Sequence, residues 1–238
     1  MGGYGEDLAA IHAEGFTAMA RDAAHELLGR LRRPGLVVDL GCGDGTTARL
    51  LTDAGHDVLG IDRSPELVAI ARRRAPRAEF RVGSFVDAEL PAGCDAILAV
   101  GEVLGYALDP RVGTGTLGEV VARCARSLRR GGALLFDLAA PGRVPAGGTR
   151  GWTEGPGWTV LVDARADDRV LTRRIVTFRE VRDGRIRRAE EVHRLVLHRP
   201  ADVLAVLRTH GLAARTLRHG YAGRGLPPGL VAYAARRR

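Results

Sequence analysis

The chain has 238 residues, 45% hydrophobic and 27% charged, which suits one large domain with a core of its own. No apolar run is long enough to cross a bilayer and no basic-then-apolar leader is found, so a cytoplasmic protein that does not enter a membrane is expected. The formal net charge of +8 rests on arginine alone, scattered along the chain, and aromatics are only 5%, so a nucleic-acid partner is not expected.

In chain order, Leu8, Ile11, His12, Phe16, Met19, Ala20, Ala23 and Leu27 recur at helical spacing and predict an amphipathic helix, broken near Gly15. His12 and Phe16 share its apolar face. Then comes Val37-Val38-Asp39-Leu40-Gly41-Cys42-Gly43-Asp44-Gly45, an apolar strand, an acid and three glycines on alternate positions. A helical run from Thr46 follows. This reads as a buried strand, a tight turn and a helix start, where free amides and a partial positive charge suit a carboxylate or phosphate. A dinucleotide site wants a glycine where Thr46 stands, and a phosphate loop wants a lysine, of which the chain has none. The second strand, about 57–61, ends at Asp62, near where a ribose-binding acid falls in such a unit. Capping of the helix that starts at Ser64-Pro65 is the other reading of Asp62, although Ser64 is itself a good cap.

The pattern Asp39-x-Gly41-x-Gly43-x-Gly45, with Asp62 after it, resembles motif I and its sequel in class I S-adenosylmethionine-dependent methyltransferases. The resemblance implies a Rossmann-like, doubly wound, mainly parallel seven-stranded α/β sheet ending in an antiparallel hairpin. It implies that Asp39, Gly41, Cys42, Gly43 and Gly45 form the cofactor turn and that Asp62, with Arg63 beside it, takes the ribose. It places the N-terminal helix as a lid, with Tyr4 reaching the methionine end of the cofactor. After a helix at 64–74 and a strand at 78–82, it gives the adenine to Gly83-Ser84-Phe85-Val86-Asp87. Ser84 or Asp87 would meet the amino group, and Phe85 would pack on the ring or belong to the core.

Ala96–Val100 is continuously apolar, as expected of a parallel strand covered on both faces. It leads into Gly101 and Glu102, which should face the cofactor sulfur and the acceptor. Glu102 reads as a base, a partner for an ammonium, or a carboxylate at a helix start. Leu117 to Leu128 predicts a helix stopped by Gly131-Gly132, and 133–138 a strand. Residues 141–157, rich in Gly and Pro, predict a mobile loop. Three β runs follow at about 158–165, 169–181 and 185–198, with a hairpin at Asp183-Gly184. Alternation puts Glu191 and His193 on one face, so Glu191 can hold His193 as a general base or His193 can be structural. A helix at 201–209 and strands at 212–218 and 229–235 finish the chain, and Tyr221–Gly225 reads as a surface loop. Cys42, Cys94 and Cys124, odd in number and inside regular elements, read as reduced core thiols.

The expected organisation is a single methyltransferase domain: a lid helix over 1–33, a cofactor core over 34–140, a loop and β insert walling the substrate site over 141–199, and a final helix and hairpin over 200–238. The expected reaction is transfer of a methyl from S-adenosylmethionine to oxygen or nitrogen of a small molecule, of the kind found in secondary metabolism. His193, Glu102 and His12 are the candidate bases, in that order. No metal spacing is seen. A monomer or homodimer is expected. The rival readings are an RNA methyltransferase and a protein that binds the cofactor without methylating.

Overall fold

The computed structural model describes residues 4–113 and 115–238. Helices α1 (Glu6–Gly15) and α2 (Ala18–Leu28) replace one N-terminal helix, the break falling after Gly15 as the periodicity suggests. The core alternates: β1 (Leu36–Leu40), α3 (Thr46–Asp53), β2 (Asp57–Asp62), α4 (Pro65–Arg74), β3 (Glu79–Val82), β4 (Cys94–Ala99), α5 (Thr116–Ser127) and β5 (Leu128–Ala139). An antiparallel insert of β6 (Thr149–Gly155), β7 (Trp158–Ala166), β8 (Val170–Glu180) and β9 (Ile186–Val196) follows, then α6 (Pro200–Thr209), β10 (Leu212–Thr216) and β11 (Leu230–Arg237).

The main sheet has seven strands in the order β10-β11-β5-β4-β1-β2-β3. β1 to β5 run parallel, while β11 is antiparallel to both β5 and β10. Strand order reverses between β1 and β4, so the crevice beyond their carboxyl ends is where a ligand is expected. The two faces of the sheet are buried by different helices. Leu117, Val121 and Cys124 of α5 and Val203 and Leu207 of α6 cover one face. Ala23 and Leu27 of α2, Leu51 of α3, and Val68 and Ala71 of α4 cover the other. Each such buried aliphatic side chain stabilises the fold by roughly 1.5–3 kcal/mol.

Helix α1 does not pack on the main sheet. Its Leu8 and Ile11 are buried against Trp158, Val160 and Ile175 of the insert. Its Asp7 carboxylate accepts two bonds from Arg187 at 2.6 Å and one from Arg179 at 3.4 Å. Apolar burial and charge thus fasten the N-terminal helix to the insert, and the pair closes over the crevice from one side.

Three expectations need correction. Residues 141–157 are not all loop: β6 lies within them and pairs with β7 from Thr149 opposite Ala164 to Gly155 opposite Trp158. It is an edge strand exposed along most of its length, so no apolar alternation marks it. Gly131-Gly132 does not stop α5, which ends at Ser127. The chain enters β5 at once, and the glycines lie at a register shift, Gly131 at φ +75°. Tyr221 is not on the surface but fully buried.

Candidate active site

The turn after β1 is shaped by its glycines. A Cβ on Gly41, at φ +68°, would stand 2.4 Å from a Val103 methyl. One on Gly43, at φ +53°, would meet only the His12 ring at 3.9 Å, because the space above it is open. The Gly41 and Cys42 amides donate to Ile61 O, tying the turn to β2. Gly45 instead abuts Ala71, so it serves the packing of α3 on α4. Cys42 is buried, and burial pushes its thiol well up from the usual range, so it stays protonated in the core.

Two carboxylates sit under this turn. Asp62 accepts the Gly43 amide at 2.9 Å and the Ser64 amide at 2.9 Å, while the Ser64 hydroxyl caps α4 by accepting from Leu67 N. Burial raises the Asp62 carboxyl in spite of these donors. Asp39 is pushed up to about 8 by burial, with the negative charges of Asp62 and Asp44 adding to it. Its Oδ2 is buried and has no hydrogen-bond partner. A buried acceptor left unpaired costs on the order of 1–3 kcal/mol. Asp39 itself lines no cavity; the open space over Gly43 and the Asp62 carboxylate beside it are what fit the cofactor.

Above the turn is an open cleft. Tyr4, His12, Gly41, Gly43, Asp62, Arg63, Ser84, Phe85 and Gly101 all line it. Asp87 does not: its carboxylate is exposed and bound to Arg111 at 2.8 Å. Between the two polar candidates for the adenine loop, only Ser84 reaches the cleft. Asp109, at the same end, is held well below the usual carboxylate range by Arg111 and also lies 3.8 Å from Arg63.

A second cavity meets the first at Tyr4, His12, Gly101 and Tyr106. It continues past Phe16, Met19 and Arg173 to Tyr221 and the 224–227 loop. His12 therefore stands at the junction. Its Nδ1 is buried without a partner, its ring is stacked on Phe16, and Tyr4 approaches it edge-on. Burial lowers its pKa, Arg74 adding to the effect against Asp44, which leaves a neutral imidazole at pH 7.

The other two candidate bases are placed differently. Glu102 reaches the second cavity, but both oxygens are taken, by Arg173 at 2.6 and 3.0 Å and by Arg143 at 3.1 Å. Burial alone would raise its carboxyl; the two guanidiniums outweigh it and hold it low. A carboxylate so paired is a poor base, and its backbone is left-handed at φ +63°, a strain of roughly 1–2 kcal/mol for a residue with a side chain. His193 is fully buried and borders neither cavity. Its Nε2 lies 2.8 Å from Glu191 Oε2, as alternation suggested, but its ring backs onto Tyr4 and Tyr106 at centroid distances of 5.3 and 5.6 Å. Strand alternation gave the face; Tyr4 and Tyr106, which cover it, lie far off in the sequence and could not be inferred from it.

Tyr106, Arg173 and Tyr221 line the second cavity, and Asp137 accepts the Tyr221 hydroxyl behind it, without any of these having been anticipated. Asp137 alone carried a signal: an acid inside Leu-Leu-Phe-Asp-Leu, on a strand that must be buried. Among the described residues, no group of three or more His, Cys, Asp or Glu could hold a metal ion, and no helix is long and apolar enough to cross a membrane.

Residues 37–132 match the methyltransferase domain family. Over 226 residues the chain is 28% identical to a dTDP-3-amino-3,4,6-trideoxy-α-D-glucopyranose N,N-dimethyltransferase of Streptomyces venezuelae, covering 91% of this chain and 92% of that one. Its fold is similar to that of the sugar N-methyltransferase KedS8 from Streptoalloteichus, with a TM-score of 0.75 at 24% identity over 100% of this chain and 94% of that one. It is also similar to CalS10 of Micromonospora echinaspora, an amino pentose methyltransferase solved with S-adenosylmethionine bound, with a TM-score of 0.73 at 19% identity over 99% and 98%. The matched domain spans the glycine turn, the acid at the end of β2 and the crevice at the strand reversal. With these, the chain is a class I S-adenosylmethionine-dependent methyltransferase.

Proposed function

We propose that this methyltransferase methylates the amino nitrogen of a sugar carried on a nucleotide. The observation that carries the reading is the meeting of two cavities at Tyr4, His12, Gly101 and Tyr106. One has the cofactor turn at its floor. The other has room for an acceptor and is walled by aromatic rings and the Arg173 guanidinium. The similarity to an amino-sugar N,N-dimethyltransferase along nine-tenths of the chain supports the choice of acceptor.

Bound in the cleft, S-adenosylmethionine supplies a methyl already activated by its positive sulfur. Asp62, whose carboxylate borders the cleft, would take the ribose hydroxyls. Ser84 meets the adenine amino group, Phe85 packs on its ring, and Gly41, Gly43 and Gly101 let the ligand approach the main chain. The protein's chief contribution is positioning: holding nucleophile and methyl in line supplies roughly 7–11 kcal/mol. An alcohol would need a strong base at the junction, and Glu102, the carboxylate candidate on the acceptor cavity, is locked by two arginines. An ammonium needs only to shed one proton before it attacks, and the neutral His12 imidazole lines the junction where that proton is released. Nitrogen is therefore the better match.

Incubation with S-adenosylmethionine and dTDP-3-amino-3,4,6-trideoxy-α-D-glucopyranose, followed by mass spectrometry, tests this. Product heavier by one or two methyl groups is expected. Methylation of a hydroxyl acceptor, with amino sugars left untouched, would overturn the nitrogen assignment.

A further inference from the structure

Asp137 is an acid in the interior of β5, with no exposed surface. Its Oδ1 accepts the amides of Glu102 at 2.5 Å and Gly101 at 3.2 Å. Its Oδ2 accepts the Gly101 amide at 3.0 Å and the Tyr221 hydroxyl at 2.7 Å. Three donors converge on one carboxylate. Burial pushes its carboxyl up to about 6, against the pull of those donors. A buried acid costs stability, so its presence calls for a use.

The three donors belong to separate walls of the two cavities. Gly101, at φ +96°, borders both. Glu102 turns its carboxylate to Arg173 of the insert and to Arg143, whose NH1 donates to Pro228 O. Tyr221 begins the loop that forms the far wall of the acceptor cavity. The loop is also tied by Ala222 N to Glu26, by Arg224 to Asp22 and by Arg143 to Pro228 O. The Tyr221–Asp137 bond anchors it to the sheet beneath.

We infer that Asp137 is a positioning residue for the acceptor: it locks the Gly101–Glu102 corner to the Tyr221 loop, setting the acceptor wall from the floor of the sheet. The part that concerns an acceptor rests on the amine-methylating reading; the mechanical part does not. A carboxylate is required because asparagine offers one accepting oxygen to three donors.

Tyr221→Phe removes the hydroxyl and keeps the ring, and Asp137→Asn is the companion variant. Amide hydrogen exchange is read on the full chain without acceptor. In Tyr221→Phe, exchange over residues 220–228 should quicken about tenfold while β1 and β2 stay unchanged, since a hydrogen bond to a charged group is worth about one to two powers of ten. Affinity for S-adenosylhomocysteine should stay within about threefold, because Tyr221 does not border the cofactor cleft. With the dTDP-amino sugar, KM should rise about tenfold and kcat hold within about threefold. Asp137→Asn should quicken the Glu102 amide as well.

Unchanged exchange at 220–228 in both variants overturns the inference. So does a loss of protection spread evenly over the sheet with KM unaltered, which marks Asp137 as structural only. A wild-type protein that leaves the amino sugar unmethylated refutes the acceptor reading, and the exchange arm still decides on Asp137.

Discussion

The carboxylate of Glu191 accepts the backbone amide of Tyr4 at 2.8 Å, across 187 residues of chain. The same carboxylate takes the Gly5 amide at 2.9 Å and lies 2.8 Å from His193 Nε2. Burial would raise its pKa, but His193 and the two amides together hold it below the usual value. Tyr4 has a left-handed backbone at φ +47°, and the Ser64 hydroxyl donates to its carbonyl at 2.8 Å. The segment that closes the cofactor cleft is thus hung between the insert and the cap of α4.

Glu191→Ala should loosen that closure. Affinity for S-adenosylhomocysteine should fall about tenfold or more by calorimetry, as expected for lost charge-assisted bonds. The wild-type closure should also weaken in acid: a depressed carboxyl contributes stability above its unfolded pKa and loses it as pH falls through the folded one. An unaltered affinity in the variant would show that Tyr4 is held by packing alone.

Asp62→Ala removes the carboxylate that braces the Gly43 amide and borders the cleft. Loss of two charge-assisted bonds to a ribose predicts a fall of about two to four powers of ten in cofactor affinity. Circular dichroism should show the sheet intact. Affinity equal to the wild type would remove the ribose assignment.

The two histidines should separate cleanly. His12→Ala is expected to slow turnover at pH 7 by about a hundredfold, the loss narrowing as pH rises and the amine sheds its proton unaided. His193→Asn touches no cavity wall, so its effect should stay under about tenfold with the pH profile unchanged in shape. The reverse ranking would restore His193 as the base.

Asp39 makes a prediction for the free protein. Its carboxyl is raised to about 8, so its favourable contribution is present below the unfolded pKa of about 3.9 and lost as pH climbs towards 8. In the free protein, Asp39→Asn should therefore raise Tm by a few degrees at pH 8 and hardly at all at pH 4, each kcal/mol being worth about 2–4 °C. A variant that is no more stable when free, at pH 8, would mean that Asp39 Oδ2 is not the strained atom.

The sequence by itself determined the parallel core and the cofactor turn. These are local: a strand, a glycine turn and a helix lie within about twenty residues, and the dihedrals that Gly41 and Gly43 adopt are open to glycine almost alone. Asp62 was legible for the same reason, since its distance along the chain from Gly43 follows from one turn, one helix and one strand. The pairing of Glu191 with His193 was legible from strand alternation. What tertiary structure decided was which side chains those faces meet. Glu102 was expected to be free at a strand end, and its charge was taken by Arg143 and Arg173, 41 and 71 residues further on. His193 was expected to face the acceptor, and Tyr4 and Tyr106 came between. Tyr221 stood in a glycine-rich stretch that reads as surface, and an acid 84 residues earlier drew it into the core. Periodicity reports the direction of a side chain; only packing of distant elements supplies the partner that sets its charge and its access to a ligand.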